Sequence, residues 1–304
     1  KTLTLKGSNP AVWFGDATAP VLSGSAGGGI VVDTGAGAGI VTFGAANTFT
    51  GGVKLNSGTL RIGNAAGAGG AGSTLTLAGG KISSTGTGAY TIANSPLAIT
   101  GSVAIGDATN TGALTFTNAT QSISNDPIIT LAGSTHVFST GVMVLNSGAT
   151  FTGTGVTLSG GFNTGGGARV LILDTGASAT TLSGPLTGGA SNITIAGGGG
   201  AITLGPLTGA TAHSLEVNGT GMCTFAAANT YTGGTTLNSG ISRITISGTA
   251  TTPFGSGLVT MNGGSLRVEG TSGGATTTLS NSLTINGGTL DFYTKKDSMK
   301  WTGT

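Results

Sequence analysis

Charge is scarce in this chain. Lysine, arginine, aspartate and glutamate make up 7% of its 304 residues and leave a formal net charge of +2, where an ordinary globular domain has about 25% charged residues. So thin and dispersed a charge excludes the basic footprint of a nucleic-acid-binding surface. There is one cysteine, Cys223, which excludes an internal disulfide framework. The two histidines, His136 and His213, have no partner at ligand spacing, so no zinc site is expected. Calcium-binding turns of the Gly-Gly-x-Gly-x-Asp type are missing as well. No apolar run approaches the roughly 20 residues of a membrane helix, and no leader pattern is present, so the residues read as mature material or a fragment.

Glycine, in contrast, is abundant, with 61 residues against seven prolines. The glycines have no three-residue period, which excludes a collagen helix. Short apolar strings punctuate the whole length, among them Ile30-Val31-Val32, Val170-Leu171-Ile172-Leu173 and Ile193-Thr194-Ile195, and they argue against disorder. Glycine interrupts every stretch long enough to show a helical period. Many short strands separated by Gly, Asn and Ser read as an all-β protein.

Internal repetition narrows the fold. From Gly37 the chain reads GAGIVTFGAANTFTGGVKLNSG, and from Gly219 it reads GTGMCTFAAANTYTGGTTLNSG. The two align without a gap, so Phe43 matches Phe225, Asn47 matches Asn229, Phe49 matches Tyr231 and Val41 matches Cys223; Arg61 and Arg243 follow at the same offset. The order continues from Leu77 in one copy and Met261 in the other, and Asn94 corresponds to Asn281. Within each copy, LNSG, LAGG, MNGG and INGG recur at 22–24 residues, as in Leu55 to Leu77 and Leu237 to Met261 to Ile285.

Each recurrence is a short apolar–polar alternation followed by residues that accept a left-handed backbone, which a sharp corner needs. A unit of 20–25 residues built this way is a solenoid coil, which buries its apolar stripe only by stacking on another. The expectation is a single elongated β-solenoid (β-helix) over 1–304, with a super-repeat of 37–105 and 219–291 and a degenerate middle, 106–218. It would have on the order of 13 coils stacked at about 4.8 Å. Val41, Phe43, Leu55, Leu77, Phe225, Leu237, Met261 and Ile285 are expected to point inward. A β-sandwich with glycine-rich loops is the alternative, but it has no need of the same turn chemistry in every coil.

These residues resemble the autotransporter-associated β-strand repeat of Gram-negative surface proteins. NTFTGG at Asn47, GTL at Gly58, NTYTGGTT at Asn229, GGTL at Gly287 and LSGPLTGG from Leu182 carry the likeness, which is strong over 37–105 and 170–291 and weak over 106–169. It implies a passenger-type β-solenoid on the secreted face of the cell, in which the repeat is scaffold and carries no activity. The alternating ten-residue strands of a membrane barrel are missing from these residues, so secretion by a barrel of the chain's own is not implied.

Three patterns in the sequence resemble catalytic chemistry. Val32-Asp33-Thr34-Gly35 and Leu173-Asp174-Thr175-Gly176 resemble the active-site strings of aspartic proteases, in which two carboxylates share a proton. The structural reading makes each aspartate a turn residue, several coils from the other. Glycosidases built on β-helices need a carboxylate pair in a groove; the acids at one-coil spacing are Asp107 with Asp126 and Glu269 with Asp291, and aromatics to stack sugars are sparse. Cys223, aligned with Val41, reads as a small core hydrophobe. No catalytic, cofactor-binding or metal-binding residue is therefore expected. The expected function is an extracellular structural protein, a filament or surface-coat subunit. Its alternatives are the adhesin stalk of a longer passenger and a carbohydrate-active enzyme. The expected partner is a second copy, joined head to tail through Lys1–Lys6 and Leu290–Thr304; surface glycans are a further class.

Overall fold

The computed structural model describes residues 2–7, 12–14, 27–35, 39–70, 72–94, 96–139, 141–176, 179–197, 200–209, 212–246, 252–270, 276–293 and 298–303. Every regular element among them is a β-strand. The chain divides into two compact units, Lys1–Thr157 and Leu158–Thr304, and each is a parallel β-solenoid. The described residues make about 11 turns of roughly 22 residues. Some coils are longer: Lys81 contacts Asp107 in the next coil 26 residues on, and Thr164 contacts Ser191 27 residues on.

In the first unit, one ladder stacks Leu3–Lys6, Ile30–Asp33, Val53–Ser57, Leu75–Leu77, Leu97–Ile99, Thr120–Ile123 and Val142–Leu145, all parallel. Its register sets Val32, Leu55, Leu77, Ile99, Ile123 and Leu145 in a single inward column, and all six are buried. A second ladder lines up Val41, Leu60, Ile82, Ile105 and Leu131, again buried. A third, Tyr90–Ile92, Leu114–Phe116 and His136–Phe138, sets Phe116 on Phe138 in a stacked pair with ring centroids 4.8 Å apart. Alternation along each strand decides which side chains enter the column. Each fully buried aliphatic contributes about 1.5–3 kcal/mol relative to exposure, and only a neighbouring coil can supply that burial.

In the second unit, Leu171, Ile195, Val217, Leu237, Met261 and Ile285 form the corresponding column. A second ladder sets Ile202, Cys223, Ser242 and Leu266 in register. Cys223 and Val41 are both buried, each between ladder neighbours of the adjoining coils, as the gapless alignment requires. Seven of the eight residues expected to point inward are buried. Ile285 is the exception, at 51% exposure. It lies in the Leu237–Met261 column, but among the described residues no strand pairs with the far side of Leu283–Ile285, so the position is right and its cover is missing.

The segments expected to join copies are described in part. Leu3–Lys6 pairs with Ile30–Asp33, and Ser298–Trp301 pairs with Thr276–Leu279. Lys1, residues 294–297 and Thr304 lie outside the described residues.

Corners carry the positive backbone angles. Gly240, Gly264 and Gly288 have φ of +77°, +70° and +95° and stack on one another, so that a Cβ on Gly264 would collide with the Gly240 carbonyl. One corner departs from glycine: Asn125 and Asp126 have φ of 68° and 46°. Bonds to both neighbouring coils hold them, from Asn125 Nδ2 to Thr100 O (2.9 Å) and from Gly148 N to Asp126 Oδ1 (2.8 Å).

Gly264→Ala is expected to cost at least about 1 kcal/mol, because alanine is strained in the left-handed region before any collision is counted. Gly86, which has open space around its would-be Cβ and no positive φ, is the control: Gly86→Ala should lie within about 0.5 kcal/mol of the parent. Urea unfolding of the two variants checks the pair.

Candidate functional site

The repeated Ala-Asn-Thr-aromatic-Thr-Gly-Gly string is an inter-coil clamp. Asn47 is buried; its Nδ2 donates to Gly67 O (2.7 Å) and its backbone N–H to Ala66 O (3.0 Å). Asn229 does the same in the second unit, with Nδ2 donating to Pro253 O and N–H to Thr252 O (2.8 Å), while its Oδ1 accepts from Leu207 N (2.7 Å). A second buried asparagine approaches each loop from the opposite coil. Asn94 Nδ2 donates to Ala68 O (2.8 Å), and Asn281 Nδ2 to Gly255 O (3.0 Å) and Gly257 O (2.8 Å). Each glycine-rich loop thus has its carbonyls held from both sides, which satisfies backbone groups that an apolar interior would leave unpaired.

The aromatic of the motif forms the floor of the same loop. A Cβ on Gly69 would come within 2.8 Å of Phe49, and one on Gly255 within 2.9 Å of Tyr231. Both glycines also have positive φ. Thr235 Oγ1 donates to Phe254 O (3.2 Å), so the Tyr231 hydroxyl is the donor in its 2.6 Å contact with Thr235; burial pushes that phenol's pKa up. The Gly-Gly pair that follows is where three coils meet. Gly51 faces the Gly28 backbone and Gly52 faces Thr74, as Gly233 faces His213 O and Gly234 faces Leu258 O.

The Asp-Thr-Gly strings bury their threonines. Thr34 Oγ1 donates to Gly39 O (3.1 Å), and Thr175 Oγ1 meets Thr180 Oγ1 (2.8 Å). Each hydroxyl staples a corner five residues long. Asp33 Oδ1 accepts from Ser57 Oγ (2.8 Å), Asp174 is exposed, and the two aspartates belong to different units. Ala36 and Ala177 of these strings lie outside the described residues. Nothing in the sequence separates the threonine from the aspartate as the buried partner.

The acids at one-coil spacing are held by cations or by the backbone. Asp107 accepts from Thr109 N (2.8 Å) and Lys81 Nζ (3.1 Å), which hold its carboxyl below the ordinary value. Glu269 pairs with Arg243 and lies 3.9 Å from Arg267, and Arg267 Nε binds Asp291 (2.9 Å). Asp107, Glu269 and Asp291 thus each have a cationic partner, and Asp126 accepts from Gly148 N (2.8 Å).

Both histidines have partners that the sequence reading missed, each one coil away. His136 Nδ1 accepts from Leu114 N (3.1 Å), and its Nε2 is 3.0 Å from Ala132 O and therefore carries the proton. His213 Nδ1 meets Ser191 Oγ (2.9 Å), which contacts Thr164 Oγ1 (2.8 Å). All three are buried, so this hydroxyl–imidazole contact has no route to a substrate. Cys223 is buried among apolar neighbours, and desolvation pushes its thiol up to about 12, which leaves no thiolate for chemistry. Among the described residues, no group of three or more His, Cys, Asp or Glu side chains could hold a metal ion.

Two segments of the chain, residues 34–62 and 215–241, match the model of the passenger-associated-transport-repeat family. They contain the two clamp asparagines, the two aromatics and the Gly-Gly pairs. No curated protein and no solved structure matches the chain. Fold and match together define a parallel β-solenoid similar to autotransporter passenger-type repeat proteins. Repeats of this type imply a secreted or cell-surface protein, and no helix among the described residues is long and apolar enough to cross a membrane.

Three outcomes are expected. Asn229→Ala strands buried Leu207 N–H and Pro253 C=O groups and should cost about 2–4 kcal/mol by urea unfolding. Cys223→Val should change stability by less than about 1.5 kcal/mol; a non-reducing gel with a disulfide-linked dimer of the parent would contradict its buried role. The third concerns acid. Burial lowers the pKa of both histidines from 6.5. Below about 6.5 the unfolded chain therefore binds protons that the folded chain does not, and stability falls as pH drops. The urea midpoint should decline between about pH 7 and pH 5, before unfolded carboxylates titrate, and His136→Gln should flatten that slope.

Proposed function

We propose that this chain is a non-catalytic scaffold segment of a passenger-type surface protein, a stalk that carries other parts of a longer autotransporter-like chain away from the cell. One observation carries the reading: the asparagines, aromatics and glycines of the repeat are used in holding coil to coil. The motif asparagines, aromatics and glycines face neighbouring coils, the one-coil acids are bound by cations or backbone, and the polar side chains the motif leaves exposed are the threonines Thr48, Thr50, Thr230 and Thr232. A scaffold needs uniform stacking and nothing more from each coil.

The test is surface display. With an epitope before Lys1 and the chain fused to a membrane barrel, intact cells should bind antibody. Asn47→Ala combined with Asn229→Ala should lower that signal and open the passenger to external protease. Undiminished display and protease resistance in the double variant would refute a role for the clamps, and turnover of surface polysaccharide lost in Glu269→Gln would make the chain an enzyme. A filament joined through Lys1–Lys6 and Leu290–Thr304 is the second reading, favoured by Leu3, which is 46% exposed in the column that continues through Ile30. Electron micrographs of concentrated purified chain separate the two: linear polymers that vanish on deletion of Lys1–Lys6 support the filament, and monodisperse particles support the stalk.

A further inference from the structure

The second unit contains three Asn-Gly pairs, Asn218–Gly219, Asn262–Gly263 and Asn286–Gly287. All three asparagines are exposed, Asn262 and Asn286 just after a strand and Asn218 at a register shift inside the strand Ser214–Phe225, but their amides are held very differently. Asn286 Nδ2 donates to Asn262 Oδ1 (2.8 Å), and Asn262 Nδ2 donates to Asn238 Oδ1 (2.8 Å). Asn238 Nδ2 donates to Glu216 Oε1 (2.6 Å), whose Oε2 also accepts from Asn192 Nδ2 (3.1 Å). The amides form a one-way ladder that ends on a carboxylate, and each bond polarises the next. Asn218 is outside it: among the described residues its side chain makes no hydrogen bond. Its backbone lies in an irregular stretch: Asn218 is in register with Ser239, but the register with the next coil shifts at Val217/Asn218 and again before Met222, so residues 219–221 have no register partner there, and Gly219 O accepts from Ser239 Oγ (3.0 Å).

We propose that Asn218–Gly219 is a site of spontaneous deamidation, and that the amide ladder protects Asn262 and Asn286 from the same reaction. The Gly219 backbone nitrogen loses its proton to water and bonds to Asn218 Cγ. The bond from Cγ to the side-chain nitrogen breaks, and ammonia leaves with a proton from water. The resulting five-membered imide is opened by one water at either carbonyl, giving aspartate or isoaspartate; no oxidant or reductant takes part. Glycine on the C-terminal side favours the attack because no Cβ shields its nitrogen. The ladder opposes it because Cγ must turn toward the backbone, which costs Asn286 one hydrogen bond and Asn262 two. The product places a new negative charge two residues from Glu216, on the same outward side of the strand, and the isoaspartyl form lengthens the backbone at the register shift by one carbon.

Trypsin separates the three sites, because cleavage after Arg169, Arg243, Arg267 and Lys295 puts each Asn-Gly pair in a different peptide. The folded chain is aged in warm, mildly alkaline buffer, and fragment-ion mass spectrometry follows the replacement of NH2 by OH. Conversion at Asn218 should be several-fold faster than at Asn286 and faster still than at Asn262. Unfolding in urea should bring the three rates together. Asn238→Ser, which removes the acceptor of Asn262 Nδ2, should raise conversion at Asn262 in the folded chain. Equal rates in the folded chain, or Asn262 leading, would overturn the proposal; so would an Asn238→Ser chain that stays folded by circular dichroism with Asn262 unchanged.

Discussion

A parallel coil of this kind has no stability of its own, because every backbone N–H and C=O on its two rims must be met by the coil above and the coil below. That single requirement organises the rest. Coils must approach to β-sheet spacing around the whole circuit, corners included, and a corner approaches its neighbour that closely only where no Cβ intervenes. Hence glycine stacks on glycine at Gly240, Gly264 and Gly288, and hence the Gly-Gly pairs at Gly51 and Gly233 face the backbones of adjoining coils. Where a loop widens, its carbonyls leave the ladder and side chains must meet them; buried asparagine, with two donors and an acceptor on a short stem, fills that role four times.

The same requirement explains how so little charge suffices. Inward positions are filled by aliphatic and aromatic columns, and many outward positions by threonine, serine and asparagine, of which Asn238, Asn262 and Asn286 bond to their counterparts in the next coil. The charges present are used in pairs along the stacking direction, as with Lys81–Asp107 and Arg267–Asp291. These surface pairs contribute little individually. Their value lies in register, because a coil displaced by one residue would turn one partner to the opposite face of the sheet. Asp107, Glu269 and Asp291, acids at one-coil spacing, are therefore part of the stacking pattern, whereas Asp174 is exposed.

Polar groups inside the columns mark the places where uniform stacking was relaxed. His136 stands in for a backbone acceptor, Gln121 donates to the Phe116, Asn118 and Ser139 carbonyls, and Ser191 bridges Thr164 to His213. Each costs desolvation that its hydrogen bonds offset only in one protonation or rotamer state. This gives the solenoid a dependence on pH that a purely aliphatic column would lack.

What the sequence determined by itself was everything that repeats. The period, the strand alternation, the glycine corners, the match of Cys223 to Val41 and the passenger-type likeness follow from residues compared with their own copies, because a solenoid uses the same local solution in each coil. Tertiary structure alone decided what passes between coils. The sequence shows Asn47 and Asn94 as recurrent, but not that they grip one loop from opposite sides; it shows Asp33-Thr34-Gly35, but not that the threonine is the buried staple. It also leaves Ile285 and Met261 indistinguishable, although one is covered and the other bare. The physical reason is common to all three: periodicity reports the direction in which a side chain points, and only the stacking of successive coils determines what it meets there.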